Sequence, residues 1–130
     1  MRVVRQLGRE DWVEAGLRLL ARGGASALRV EVAARELSVT KGSFYWHFQD
    51  RDDWCAAILG YWEHRAFGRM VARPGRRARA AGSAVDLARD MALDHAVRAW
   101  ARRDVVAAQA LGRVLREAAR SGAMAPARAA

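Results

Sequence analysis

The stretch from Val30 to Phe48, VEVAARELSVTKGSFYWHF, constrains this chain more than any other. Val30 to Leu37 suits one short helix, with Val32, Ala33, Ala34 and Leu37 available for burial. Ser38, Val39 and Thr40 make a three-residue turn, and Thr40 suits the N-cap of a second short helix from Lys41 to about Phe48. Two short helices across a tight turn have the form of a helix-turn-helix. The second holds Phe44, Tyr45, Trp46, His47 and Phe48 in succession. An α-helix advances about 100° per residue, so five neighbours cannot share one face. Phe44 and Phe48, at i and i+4, can be buried together beside Val39, which turns Tyr45, Trp46 and His47 elsewhere. The alternative, a core that absorbs all five, is hard to build around so short a helix in a chain of 130 residues.

Composition extends the helical reading to the whole chain. Alanine supplies 29 residues, against 12 valines and a single isoleucine, which disfavours a sandwich or barrel and favours an all-α fold. The first helix is predicted over about Arg9 to Arg22, with Trp12, Val13, Gly16, Leu17, Leu19 and Leu20 in one stripe and Gly23-Gly24 as its stop. Asp50 can cap a longer helix whose first turn holds Asp52 and Asp53. Its stripe is Trp54, Ile58, Tyr61 or Trp62, then Phe67 or Met70. Arg73 to Ser83, with four arginines and no acid, reads as a linker. Two further helices are predicted over Val85 to Arg102, with Leu93, Val97 and Trp100 as core, and Asp104 to Arg120, with Leu111, Val114, Leu115 and Ala118. Residues from Ser121 have little to bury and read as a disordered tail.

The net charge of +9 suggests nucleic acid, but its distribution does not point at the helix-turn-helix. Residues 1–65 carry 10 basic and 9 acidic side chains; residues 66–130 carry 13 and 5. Candidate contacts in the first half are therefore local. Tyr45 and His47 can hydrogen-bond phosphates or base edges, and Trp46 can pack on a sugar or a thymine methyl. Gly42 leaves room for close backbone approach, and Lys41 with the free amides at the helix start suits a phosphate.

Residues from about Trp12 to Trp62 resemble the DNA-binding domain of the TetR family of transcriptional regulators. The match rests on WVEAGLRLLARGG, LRVEVAARELSVTKGSFYWHF and DRDDW, and the string TKGSFYWHF is specific to that family. The resemblance implies that Thr40, Tyr45 and His47 position phosphates and that Lys41, Gly42, Ser43 and Trp46 meet base edges. It also implies contacts from Arg29 and Glu31 at the opening of the second helix, and a phosphate contact from Arg51. Family members usually have Gly at the position of Ser38, so a left-handed residue is expected there at a cost of roughly 1 kcal/mol. They have a larger aliphatic at the position of Ala33.

The expected organisation is a helix-turn-helix domain over 1–50, a connecting helix over 51–72, the linker over 73–83, a partial helical regulatory or dimerisation region over 84–120 and the tail over 121–130. DMALDHAVRAWARRD resembles a segment of the family's ligand-binding half, and the likeness fades after about Arg113. A recognition helix this short contacts few base pairs and a single copy would bind weakly, so a homodimer on the double-stranded DNA of a palindromic operator is expected. The family implies a repressor released by a small-molecule effector. The alternative is a truncated helical interaction module that pairs with a full-length regulator or lacks DNA binding of its own.

Other constellations are ordinary. His64 and His95 stand alone, with no zinc spacing around them. Cys55 has no evident His and acid partners, reads as core, and agrees with a reducing, cytoplasmic setting. Met70 and Met91 read as core. No catalytic set and no cofactor is implied. MRVVRQLGRED lacks the apolar core of a signal peptide, and the charge-free run Trp54 to Trp62 is nine residues, too short to span a bilayer.

Overall fold

Helix termination by local chemistry sets the element order of the computed structural model, in which residues 7–71 and 84–122 are described. The helices are α1 (Arg9–Gly23), α2 (Val30–Leu37), α3 (Arg51–Val71), α4 (Ala84–Ala101) and α5 (Val105–Ser121), with 3₁₀ turns at Ala25–Ala27 and Lys41–Trp46. No strand occurs among the described residues, so the fold is all-α. The linker expected over 73–83 lies outside the described residues, as does the expected tail from residue 123. Ser121, expected in that tail, instead closes α5. The chain divides into two compact units, Met1–Ile58 and Leu59–Ala130, and the division falls inside α3.

The first unit is built on aromatic packing. α1 starts at Gly8, whose N–H donates to the Asp11 carboxylate at 2.8 Å, and stops at Gly24, whose φ of 75° few other residues adopt. Trp12, Leu17, Leu20, Leu28, Phe44, Trp54 and Ile58 are fully buried. Trp54 Nε1 donates to the Trp12 carbonyl at 2.9 Å, which satisfies the buried indole. Gly16 makes room for this arrangement. A Cβ there would fall inside the Ile58 side chain and 3.1 Å from Trp54 Cζ2. α2 ends on Ser38, the one described non-glycine residue with positive φ (58°), as the family resemblance implied. The amides of Ser38 and Val39 return to the carbonyls of Arg35 and Ala34 at 3.2 and 3.0 Å. An ion pair between Arg22 and Glu36 links α1 to α2.

Asp50 caps α3 as expected, accepting from the Asp53 amide at 2.8 Å, while the Asp53 carboxylate accepts from the Gln49 amide at 3.0 Å.

The second unit is packed on small residues and charge. Leu93, Ala96, Val97 and Trp100 of α4 are buried, as are Ala107, Ala110, Val114 and Ala118 of α5. Leu111 and Leu115, expected in the core, are only half-buried, because alanines occupy the inward positions. On α3, Trp62 is buried and Tyr61 exposed, which settles that alternative. Met91 is 64 % exposed and is not core; it lies on the face of α4 opposite Val97 and Trp100. The Asp104 side chain caps α5, accepting from the Ala107 amide at 2.9 Å.

Charged pairs tie α3 to α4 and α5. Arg65 donates to both oxygens of Asp90 at 2.6 and 3.1 Å, and Arg69 adds a contact at 3.2 Å. Arg69 also meets Asp94, which accepts from Trp62 Nε1 at 2.8 Å. Arg113 holds Glu63 through two bonds at 2.7 and 3.0 Å. Burial alone would raise the Asp90 pKa, but the Arg65 hydrogen bonds and the charges of Arg69 and Arg65 overcome it and hold the carboxyl below its ordinary value.

Candidate nucleic-acid interface

The second helix expected over Lys41 to about Phe48 is a shorter, tighter element. It winds as a 3₁₀ turn over Lys41–Trp46, with bonds from the Ser43 amide to the Thr40 carbonyl at 3.1 Å and from the His47 amide to the Phe44 carbonyl at 2.9 Å. Six residues containing a glycine and three aromatics are too few and too poorly disposed to nucleate a stable α-helix, and the 3₁₀ form is common at this length. Thr40 occupies the N-cap with extended backbone, but its side chain makes no capping bond. Its carbonyl instead accepts both the amide and, at 2.9 Å, the hydroxyl of Ser43.

The aromatic run divides as its spacing required. Phe44 is fully buried, with Trp12 and Trp54 edge-on to it at 5.3 and 5.6 Å. The Phe48 amide returns to the Phe44 carbonyl at 3.1 Å, an i+4 bond, which brings the Phe48 ring into a stack on Phe44 at 5.2 Å. These two rings anchor the element. Tyr45 is 55 % exposed and Trp46 87 % exposed, and His47 is half-buried. Thr40, Lys41 and Gly42 are exposed and Ser43 is half-buried. Only the Thr40 Oγ1 atom, 3.8 Å away, lies near the point where a Gly42 Cβ would stand, so the backbone is open to close approach.

Arg29 and Glu31 are exposed at the start of α2 and face one another at 3.4 Å. The Glu31 pKa is lowered, first by a hydrogen bond from its own backbone and then by the charges of Lys41 and Arg29. Glu31 is thus ionised at neutral pH and can only accept hydrogen bonds, as from a cytosine amino group. Arg51 is committed within the chain: its Nε donates to the Leu28 carbonyl at 2.6 Å and its Nη2 to the Ala25 carbonyl at 3.0 Å. It thereby fixes the start of α3 against the link between α1 and α2.

Sequence reasoning missed Arg9. Its guanidinium lies 4.5 Å from the centre of the Phe48 ring, and its Nη1 reaches the His47 carbonyl at 3.5 Å. The only hint in the chain is a cation in the first turn of a helix, where the dipole disfavours it. Next to it, Leu7, Gly8, Trp12, Val39, Ser43, Trp46 and His47 line an open groove of about 810 Å³. No group of three metal-ligating side chains occurs among the described residues, and no described helix is long and apolar enough to cross a membrane.

The element therefore exposes Lys41, Gly42, Tyr45 and Trp46 to solvent on a buried aromatic anchor, and Arg9, Arg29 and Glu31 are exposed as well. Residues 13–58 match the model of the bacterial regulatory proteins of the tetR family. No curated protein matches the chain. A solved structure of a TetR-family transcriptional regulator from Rhodococcus sp. is similar in fold, with a TM-score of 0.58 at 21 % identity, over 92 % of this chain and 75 % of that one. Over residues 13–58 the chain is thus similar to the bacterial regulatory proteins of the tetR family, and it shares its fold with a regulator of that family over most of its length.

Proposed function

We propose that the chain is a repressor that binds a palindromic operator as a homodimer and is released by a small-molecule effector. The observation that carries the reading is the division of the aromatic run: a Trp side chain 87 % exposed beside a fully buried Phe44 has no packing role in its own unit. Lys41, Gly42, Ser43 and Trp46 meet base edges, and Thr40, Tyr45 and His47 position phosphates. Arg29 and Glu31 act at the edge of the same groove. Arg9 adds a phosphate contact, whereas Arg51 serves chiefly to hold the domain together. Two copies are needed because one six-residue element reads few base pairs.

Selection of bound sequences from random duplex oligonucleotides tests this directly. The expected result is a two-fold symmetric consensus. Enrichment of a single asymmetric half-site overturns the dimer, and no enrichment overturns the operator reading.

A further inference from the structure

Arg9 opens α1, at the end where the helix dipole disfavours a cation. The next two residues, Glu10 and Asp11, are the acids that such a turn favours. The Arg9 side chain is exposed and reaches a residue 38 positions along the chain, at the far end of the Lys41–Trp46 turn. There its guanidinium lies 4.5 Å from the centre of the Phe48 ring, and Nη1 donates to the His47 carbonyl at 3.5 Å. His47 is the C-cap of the turn, so its carbonyl belongs to the end that has run out of amide partners and carries partial negative charge. A cation poorly placed at the start of one helix is thus well placed at the close of another element.

The two groups that Arg9 touches are the ones that orient the exposed side chains of the turn. Phe48 is 2 % exposed and stacks on Phe44, so a guanidinium lying on its ring forms part of the cover of the aromatic anchor. His47 directly follows Trp46, the most exposed aromatic of the run, and both line the open groove that Leu7 and Gly8 also line. A turn of six residues has few backbone bonds of its own, so a contact at its end has a large share in fixing where Trp46 and His47 point. A planar guanidinium can lie on a ring and still donate to a carbonyl, a geometry that an ammonium does not offer.

We propose that Arg9 is a positioning residue for sequence reading: through the His47 carbonyl and the Phe48 ring it fixes the closing end of the Lys41–Trp46 turn, and with it the orientation of Trp46 and His47. This role rests on the DNA-binding reading above and is additional to a phosphate contact.

Arg9→Lys separates the two roles, because it keeps the charge and loses the planar fork. Its expected signature is a preference for a selected operator over a scrambled duplex reduced by about tenfold, with the slope of the salt dependence unchanged. Arg9→Met, which keeps an apolar cover on Phe48 without the charge, should lose the same preference and also about one unit of slope. A DNA-free arm reads the turn directly. The His47 and Phe48 amides both donate to the Phe44 carbonyl, and their hydrogen exchange should be faster by about threefold or more in Arg9→Lys, with that of Val97 and Val114 in the second unit unchanged. Full preference in Arg9→Lys overturns the proposal, since a phosphate cation alone is then enough. So does an equal loss of affinity for both duplexes, the mark of a purely structural role, and so does unchanged exchange at both amides. If the wild-type chain selects no sequence, the operator reading falls, and faster exchange in Arg9→Lys still upholds the hold of Arg9 on the turn.

Discussion

The two units solve the problem of a small core in different ways. The first packs large rings against a cleared glycine: Phe44 among Trp12, Phe48 and Trp54, with Gly16 giving Ile58 and Trp54 their space. The second packs alanines between α4 and α5 and ties α3 to them with guanidinium–carboxylate pairs. Burial per residue is large in the first and modest in the second, where directional bonds set the geometry. The lesson is that an aromatic core supports an exposed functional edge, while an alanine interface leaves flanking leucines partly uncovered and available.

The sharpest way to break the contrast is at its centre. Phe44→Ala is expected to destabilise the first unit by about 3–5 kcal/mol, because its neighbours cannot collapse into the space left. Urea denaturation followed by tryptophan fluorescence measures it, and a loss under about 1 kcal/mol would mean that the ring cluster is not the core. Asp90→Asn is the matching cut in the second unit. It should cost about 2 kcal/mol, less than a fully buried pair, because Arg65 keeps access to water.

The same aspartate gives the second unit its own acid response. Asp90 has a folded pKa below its ordinary value, so its contribution is complete above an unfolded pKa of about 3.9 and is lost as pH falls through the lower, folded value. Thermal melts between neutral and strongly acidic pH should show that dependence, and Asp90→Asn should flatten it. An unchanged acid profile in the variant would assign the response to other carboxylates.

Gly16→Ala should cost about 1–3 kcal/mol through overpacking against Ile58 and Trp54. Ser38→Gly should act the other way, stabilising the first unit by roughly 1 kcal/mol, since Ser38 holds φ 58°. The smallest effect on stability is expected at Trp46→Ala, within about 0.5 kcal/mol, as for other exposed positions. The same change should markedly weaken selected-operator binding in a mobility-shift titration. Loss of folding there instead would place Trp46 in a core that the exposed geometry does not contain.

Much of this was legible in the chain because it depends on neighbours in sequence. The cap at Asp50, the stop at Gly24, and the division of Phe44 and Phe48 from Tyr45 and Trp46 follow from residue type and spacing alone. The 3₁₀ winding of Lys41–Trp46 was not legible, since over six residues it differs from an α-turn by the choice of one acceptor. The thiol at Cys55 was read as core and is buried. Pairing of Arg65 with Asp90 spans 25 residues, and Arg51 reaches carbonyls 23 and 26 residues back, so neither has a local signature. Met91 was misread because an apolar side chain on a helix does not announce which face the neighbours cover.

The anchoring of the Lys41–Trp46 turn by Phe44 and Phe48 has a consequence for divergence. Within one short string Phe44 and Phe48 are buried while Tyr45 and Trp46 between them are exposed, so replacement of Tyr45 or Trp46 is expected to leave the scaffold's stability nearly untouched. On the proposed DNA-binding reading, descendants of such a chain can acquire a new target by exchanging a few surface side chains, without first finding compensating changes inside.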